Sequence, residues 1–287
     1  MQLDKTVLLP FINQALKEDV GDGDHTSLSI IPPSQQGQAQ LIIKDDGILA
    51  GIAVAIEIFK VVDSNLILEI LLEDGAEVKN GDIAFYISGN VHSILLAERL
   101  VLNLMQRMSG IATTTNKIVK LLAHTHTQVL DTRKTTPGMR YFEKLAVKIG
   151  GGINHRFGLY DMILIKDNHV DFAGGPAKAI AASKNYLQSN NLNLPIEIEV
   201  RNLKELNEVL LTGGIDRILL DNFDIEHLKN AVKIINGRFI TEASGEITEA
   251  NVVSYAACGV NYVSMGSLTH SFKSLDMSLK AFRLNFK

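Results

Sequence analysis

The sequence predicts a two-part α/β chain: an antiparallel sheet with helices packed on it, followed by an incomplete (β/α) barrel. Three observations carry this. After residue 128, apolar strand-like runs alternate with helical stretches, the pattern of repeated βα units and a parallel sheet. Before residue 110, short apolar runs are broken by Gly, Asp and Asn turn signals, as an antiparallel sheet requires. Finally, each strand-like run of the second half ends on charged or small residues. The expected domains are 1–112 for the sandwich and 113–287 for the barrel, with a last helix free to pack back on the first domain.

The elements follow in order. Pro10 to Glu18 reads as a short helix, running into a glycine-rich acidic turn from Asp19 to Thr26. That turn lacks the alternating acids and distal Glu of a calcium loop, so an exposed turn is expected. Gln38–Lys44 and Gly47–Gly51 read as strands, Ala53–Val62 as a helix, and Asn65–Leu72 and Ile83–Ser88 as further strands. The segment Asp74–Asp82 resembles the hairpin of a lipoyl carrier, but the next strand has no lysine at an exposed tip. Glu73-Asp74 resembles the acidic pair of a type I phosphoribosyltransferase, yet no Thr/Gly-rich phosphate loop follows. Ser93–Met108 is a strongly apolar helix carrying Arg99 and Arg107, which by residue type alone read as surface or salt-bridged groups.

The second half supplies six strands: Gln128–Asp131, Met162–Lys166, Ile196–Val200, Arg217–Asp221, Arg238–Ala243 and Tyr262–Met265. Helices are expected at Arg140–Ile149, Pro176–Gln188, Leu203–Leu211, Ile225–Ile235 and Thr248–Ala257. Six strands are counted where a full barrel has eight.

Composition narrows the function. At 46% hydrophobic and 21% charged, the 287 residues suit folded domains with sizeable cores. A net charge of −4 at pH 7 argues against a nucleic-acid binder. No run of apolar residues is long enough to span a membrane, and the N-terminus shows no signal-peptide pattern. Cys258 is the single cysteine, excluding a disulfide within the chain; its apolar neighbours predict a buried core residue. A reducing, cytoplasmic setting fits.

Against this acidic background, Leu130 to Val170 gathers Arg133, Lys134, Arg140, Lys144, Lys148, His155, Arg156, Lys166 and His169. In a (β/α) barrel the C-terminal strand ends converge on one mouth, where active sites form. Those ends here are Arg133-Lys134, Lys166, Glu199, Asp221, Ser244-Gly245 and Ser264-Met265-Gly266. The cations Arg133, Lys134, His155, Arg156 and Lys166 suit carboxylates and phosphates. Glu199 and Asp221 suit Mg²⁺, ribose hydroxyls or a developing cation. The small residues of the last two strand ends suit a phosphate. This inventory matches glycosyl transfer from a sugar pyrophosphate. Two alternatives stay open: Lys166 as a Schiff-base lysine, and one of the alternating Glu197 and Glu199 as a structural ion pair.

The motifs ALKEDVGDGDHTS (15–27), AERLVLNLMQRMSGIAT (97–113), LDTRKTTPGMR (130–140), GGGINHRFGL (150–159), LIKDNH (164–169), EIEV (197–200), LLDNF (219–223), EASG (242–245) and SMGSLTHS (264–271) together resemble the quinolinate phosphoribosyltransferase family. The resemblance implies that quinolinate and phosphoribosyl pyrophosphate, with Mg²⁺, give nicotinate mononucleotide, pyrophosphate and carbon dioxide in NAD biosynthesis. It implies quinolinate contacts from Arg99, Arg133, His155, Arg156 and Lys166, and phosphoribosyl pyrophosphate contacts from Thr132, Lys134, Glu199, Asp221, Ser244, Gly245, Ser264 and Gly266. Lys134, Glu199 and Asp221 would be the catalytic groups, and Glu199 and Asp221 the metal ligands. It also implies a homodimer in which Arg99 of one subunit completes the mouth of the other. Glu246 departs from the small or neutral residue often found there, placing an acid beside a phosphate site. Rival expectations are a paralogue of molybdate-transport loci, a Lys166 aldolase, and a metabolite-binding regulator on a degenerate barrel.

Overall fold

The computed structural model describes residues 3–282. In chain order the first elements are α1 (Lys5–Val20), α2 (His25–Ile30), β1 (Gln36–Ile43), β2 (Gly47–Ile48), α3 (Ile52–Val62), β3 (Ile67–Ile70), β4 (Glu77–Val78), β5 (Ile83–Asn90) and α4 (Val91–Leu122). There follow β6 (Gln128–Leu130), α5 (Arg140–Ile149), β7 (Ile163–Ile165), α6 (Asp167–Ala173), α7 (Pro176–Ser189), β8 (Ile196–Val200) and α8 (Leu203–Thr212). The chain continues through β9 (Arg217–Asp221), α9 (Ile225–Ile235), β10 (Ile240–Ser244), α10 (Val252–Ala256), β11 (Tyr262–Ser264), α11 (Ser267–His270) and β12 (Met277–Ala281). Two compact units result: 1–116 with 141–150 and 272–287, and 117–140 with 151–271.

The first unit is built on an antiparallel sheet in the order β12-β1-β5-β3. Leu41 of β1 faces Leu279 on one side and Phe85 on the other, and all three are buried. Helix α3 buries Val54, Ala55, Ile58 and Phe59, with Phe59 edge-on to Phe85 at 5.9 Å between ring centroids. Helix α1 starts earlier than its Pro10 suggests, because the Asp4 carboxylate accepts the Thr6 N–H as an N-cap. The acidic turn is shorter than expected: Asp24 accepts the Ser27 N–H and starts α2, so His25 and Thr26 are helical. Helix α4 runs well past Met108, to Leu122, and Gly110 lets it pack closely against the returning chain. A Cβ there would sit 2.2 Å from the Lys273 carbonyl oxygen of the returning chain. Within the described residues that returning segment is a strand, β12, and not the helix expected. Helix α5 has the expected bounds, but Tyr141–Gly150 packs with the first unit, through Phe142 against Phe11 at 4.5 Å and through the Arg107–Glu143 ion pair. Lys144 and Lys148 therefore belong to the first unit.

The second unit holds six parallel strands in the order β6-β11-β10-β9-β8-β7. Among the described residues the edge strands β6 and β7 are not bonded to one another, which leaves the barrel open. Register aligns the strand ends: Ser244 faces Asp221, Ser264 faces Leu130, and Glu199 faces Leu219. Strand β8 is buried along its whole length despite reading IEIEV. Its two acids, spaced by two, point to the same face at different depths. No helix among the described residues is long and apolar enough to cross a membrane.

Candidate active site

The aligned strand ends of the second unit surround a cavity of about 1040 Å³. Thr132, Arg133 and Lys134 enter it from the end of β6, and His155 and Arg156 from the loop before β7. Lys166 enters from the end of β7, Glu199 from β8, and Asp221 with Asn222 from β9. Ser244, Gly245 and Glu246 come from the end of β10, Ser264 from β11, Gly266 from the turn after it and His270 from α11. A second, open groove in the first unit has Glu57 bridged to Lys5 and Lys60 and gathers no comparable set of cations.

The loop geometry explains the convergence. Asp131, fully buried, accepts the His155 N–H at 2.8 Å and the Asn154 side-chain N–H at 2.6 Å. Asp161 accepts the N–H groups of Phe157 and Gly158 at 2.6 and 2.9 Å. Arg140 donates to the Phe157 carbonyl at 3.1 Å and to the Thr135 hydroxyl at 3.0 Å, so this arginine holds loops instead of ligand. Lys134 donates its N–H to the Thr132 hydroxyl at 3.0 Å, while the Thr269 hydroxyl donates to the Lys134 carbonyl at 2.8 Å. Lys166 donates its N–H to Nδ1 of His169 at 2.9 Å, which caps α6. Gly245, with φ 99°, admits no side chain: a Cβ would lie 2.2 Å from the Asn222 Oδ1.

Charge in the mouth is unbalanced on both sides. The Arg156 guanidinium is held below its usual range, first by burial and then by Arg133 beside it. Two neighbouring guanidiniums with that cost gain from an anion between them. The acids behave in the mirror sense. Glu199 is pushed up by burial and by the charge of Asp221. Asp221 is pushed up by burial, although the Asn222 amide donates to it at 2.6 Å. Both acids therefore gain from a cation.

Below the mouth lies a second cluster. Nε2 of His155 is 3.0 Å from Oε2 of Glu197 and 3.4 Å from Oε2 of Glu242. Nη1 of Arg217 is 3.0 Å from that same Glu242 oxygen and 3.9 Å from Glu197, and the guanidinium stacks on Tyr262 at 4.7 Å. Burial opposes charge on His155, but Glu197 and Glu242 outweigh it and lift the imidazole to about 9. Burial, and then Glu242, push Glu197 up to about 7. Burial opposes charge on Glu242 too, yet His155 and Arg217 hold it below the usual carboxylate range. The cluster thus retains one extra proton near neutrality. Nδ1 of His155 lies 2.6 Å from the Arg156 backbone nitrogen, and both carboxylate oxygens of Glu197 are buried without a hydrogen-bond partner among the described residues.

The predicted site residues divide accordingly. Thr132, Arg133, Lys134, His155, Arg156, Lys166, Glu199, Asp221, Ser244, Gly245, Ser264 and Gly266 all line the cavity. Arg99 does not; it is exposed on α4 in the first unit. His169 caps a helix, and Arg107 is bound to Glu143 and stacked on Phe272, as the salt-bridged reading allowed. Sequence reasoning passed over Asp131, Asn222, Glu242, Arg217 and His270. Asp131, Asn222, Glu242 and His270 sit inside the motifs LDTRKTTPGMR, LLDNF, EASG and SMGSLTHS and could have been singled out there; Arg217 lies two residues before LLDNF, outside it.

An open parallel barrel with cations, paired acids and small residues converging at its strand ends defines an α/β-barrel enzyme for anionic small molecules. Comparison with known proteins narrows this. The quinolinate phosphoribosyl transferase C-terminal domain model matches residues 111–280, and its N-terminal domain model matches residues 24–109. A quinolinate phosphoribosyltransferase of Nicotiana tabacum is 47% identical over 284 residues, covering 94% of this chain and 81% of that protein. A probable nicotinate-nucleotide pyrophosphorylase of Bacillus subtilis is 41% identical, covering 95% and 92%. The solved nicotinate-nucleotide pyrophosphorylase of Francisella tularensis superposes with a TM-score of 0.92 at 39% identity, covering 98% of each chain. The chain belongs to the quinolinate phosphoribosyltransferase family.

Proposed function

We propose that this chain transfers the phosphoribosyl group of phosphoribosyl pyrophosphate to quinolinate with loss of carbon dioxide. The observation that supports it best is one cavity combining a guanidinium pair short of an anion with a carboxylate pair short of a cation. Quinolinate carries two adjacent carboxylates, and Arg133, Arg156 and Lys166 are the cations suited to them. Lys134 would face the pyrophosphate, with Thr132 beside it. Ser244, Gly245, Ser264 and Gly266 would take the ribose phosphate through close backbone approach. A Cβ at Gly266 would meet Cδ of Lys134 at 2.7 Å, which fits that requirement.

Glu199 and Asp221 fit a hard divalent cation, since each carboxylate is disfavoured as an uncompensated charge. Mg²⁺ held there would neutralise charge on the leaving pyrophosphate. The residues themselves act electrostatically. The ribose–pyrophosphate bond breaks and positive charge grows at the anomeric carbon, where the two carboxylates stabilise it. The pyridine nitrogen, held in line by the cationic wall, forms the new bond. The pyridinium then accepts the electron pair of the adjacent carboxylate carbon, carbon dioxide departs, and the ring carbon takes up one proton.

Arg99, exposed on α4, would serve the mouth of a second copy, making the working unit a homodimer. A cytoplasmic setting is part of the proposal, set against the chloroplastic designation of an Arabidopsis thaliana relative. The test is release of carbon dioxide from quinolinate with phosphoribosyl pyrophosphate, run beside nicotinate. Turnover with nicotinate alone would overturn the substrate assignment. Lys166→Ala or Arg133→Ala should weaken quinolinate binding by roughly 100-fold, as loss of a charge-assisted contact does. Mixing Arg99→Ala with Lys166→Ala protein should restore part of the activity, and no recovery after subunit exchange would rule out shared sites.

A further inference from the structure

Resting on that reading of the cavity, we infer that Asn222 is a positioning residue for phosphoribosyl pyrophosphate. Its side-chain amide aims the Asp221 carboxylate and sets the spacing between that acid and the phosphate loop at Gly245.

Asn222 follows the last residue of β9 and lines the cavity. Its N–H donates to the Ser244 carbonyl at 2.9 Å, which extends the β9–β10 ladder beyond the Asp221–Ser244 pair. Its φ of 55° then turns the chain out of the sheet. In that turn Nδ2 donates to Oδ2 of Asp221 at 2.6 Å. The reversed amide would set its oxygen against a carboxylate oxygen at that distance, so the charge of Asp221 decides which end faces it.

The amide oxygen lies against Gly245. A Cβ on Gly245 would sit 2.2 Å from Oδ1, 2.6 Å from Cγ and 2.8 Å from the backbone nitrogen of Asn222. One planar group therefore holds the acid by a hydrogen bond and has the phosphate loop packed on it. In the proposed complex these two serve different parts of one substrate, Asp221 the ribose and Gly245 the ribose phosphate. A displaced amide moves both. Subsites that must hold one molecule in line depend on sub-ångström spacing, and supporting residues exert their effect there.

A simpler use of asparagine at this place is its backbone, since asparagine takes positive φ more readily than most residues. The amide would then be idle. The chain beyond it carries its own anchors. Phe223 is buried, the Tyr255 hydroxyl donates to the Phe223 carbonyl at 3.3 Å, and Asp224 accepts the His227 N–H at 2.9 Å as the N-cap of α9. Replacing the amide leaves those anchors in place, so the two uses can be separated.

The experiment compares Asn222→Gly, Asn222→Asp and Gly245→Ala by steady-state kinetics, by calorimetric titration with phosphoribosyl pyrophosphate and Mg²⁺, and by thermal melting. Glycine accepts the turn without an amide, and an ionised aspartate keeps the shape without a donor for Asp221. Both Asn222 variants should weaken phosphoribosyl pyrophosphate binding and raise its KM by roughly 10-fold, the scale of losing one charge-assisted hydrogen bond. The KM for quinolinate should stay within about twofold. The melting temperature of Asn222→Gly should hold, because glycine meets no steric cost at positive φ. A Cβ at Gly245 displaces the amide, so the double variant Asn222→Gly, Gly245→Ala should lose less than the product of the single losses. Unchanged kinetics and binding in Asn222→Gly would show that only the backbone matters, and unchanged values in Asn222→Asp that the donor is idle; either overturns the inference. Equal losses for both substrates with a lower melting temperature would make Asn222 merely structural and overturn it as well. Fully multiplicative losses in the double variant would overturn the shared spacing. Absence of quinolinate turnover by the unmodified protein would instead remove the functional proposal, so the two failures are told apart.

Discussion

Two carboxylate pairs share the interior of the open barrel, and their contrast teaches how depth along a strand assigns a role. Glu199 and Asp221 stand at the strand ends; Glu197 and Glu242 are more deeply buried, and of those two only Glu242 borders the cavity. Glu197 and Glu199 are two residues apart on one strand, hence on one face and roughly 7 Å apart. The lower pair is neutralised from within by Arg217 and one retained proton. The upper pair is disfavoured as charge despite Lys166 nearby, and it opens to the cavity. A buried charge with its partner in place is structure; a charge raised in energy and facing a cavity is prepared for a ligand.

The largest test of this contrast is activity against stability. Glu199→Gln or Asp221→Asn should lower turnover by roughly 100- to 1000-fold, the scale of losing one electrostatic stabiliser, while leaving the melting temperature unchanged or higher. A large drop in melting temperature for both variants would erase the distinction. Below the mouth the order reverses. Glu242→Leu leaves Arg217 without its close carboxylate and should cost about 3–5 kcal/mol of stability by denaturant unfolding. Glu197→Gln should cost far less, since that carboxyl already takes up a proton near neutrality. Equal losses at the two positions would mean that Glu197 is as fully charged as Glu242.

The pH dependence sharpens the same point. The folded cluster binds a proton more tightly than the unfolded chain, through groups raised to about 7 at Glu197 and about 9 at His155. Bound protons in excess in the native state make stability fall as pH rises. The contribution of His155 is complete below its ordinary value of 6.5 and is lost as pH climbs through about 9. The melting temperature should thus decline across that window, and the decline should flatten in Glu197→Gln, where the coupled carboxyl is gone. The smallest effect belongs to Glu246, exposed at the cavity edge with φ 48°. Glu246→Gly removes both an acid near the proposed phosphate position and a left-handed non-glycine residue. The KM for phosphoribosyl pyrophosphate should fall about 2- to 5-fold, in line with removing one solvent-screened like charge. A rise in KM would mean that Glu246 assists binding.

Much of this was legible in the sequence because strand ends announce themselves. A short apolar run followed by Lys166, or by Asp221, states both a strand and a functional end, and the parallel topology then brings the ends together. The same local rules misassigned what depends on distant partners. Lys144 and Lys148 read as part of one basic cluster, yet α5 packs with the first unit, because Phe142 and Glu143 find Phe11 and Arg107 there. His155 read as a cation, yet its charge is decided by Glu197 and Glu242, which lie 42 and 87 positions further along the chain.

The sequence by itself determined the βα rhythm, the strand ends and the residue types at the mouth, since each depends on neighbours within a few positions. Only the tertiary structure decided which acids face a ligand and which face an arginine, and how tightly His155 holds its proton. Those outcomes depend on burial and on charges brought within roughly 3–4 Å by packing, and no local pattern in the chain encodes such distances.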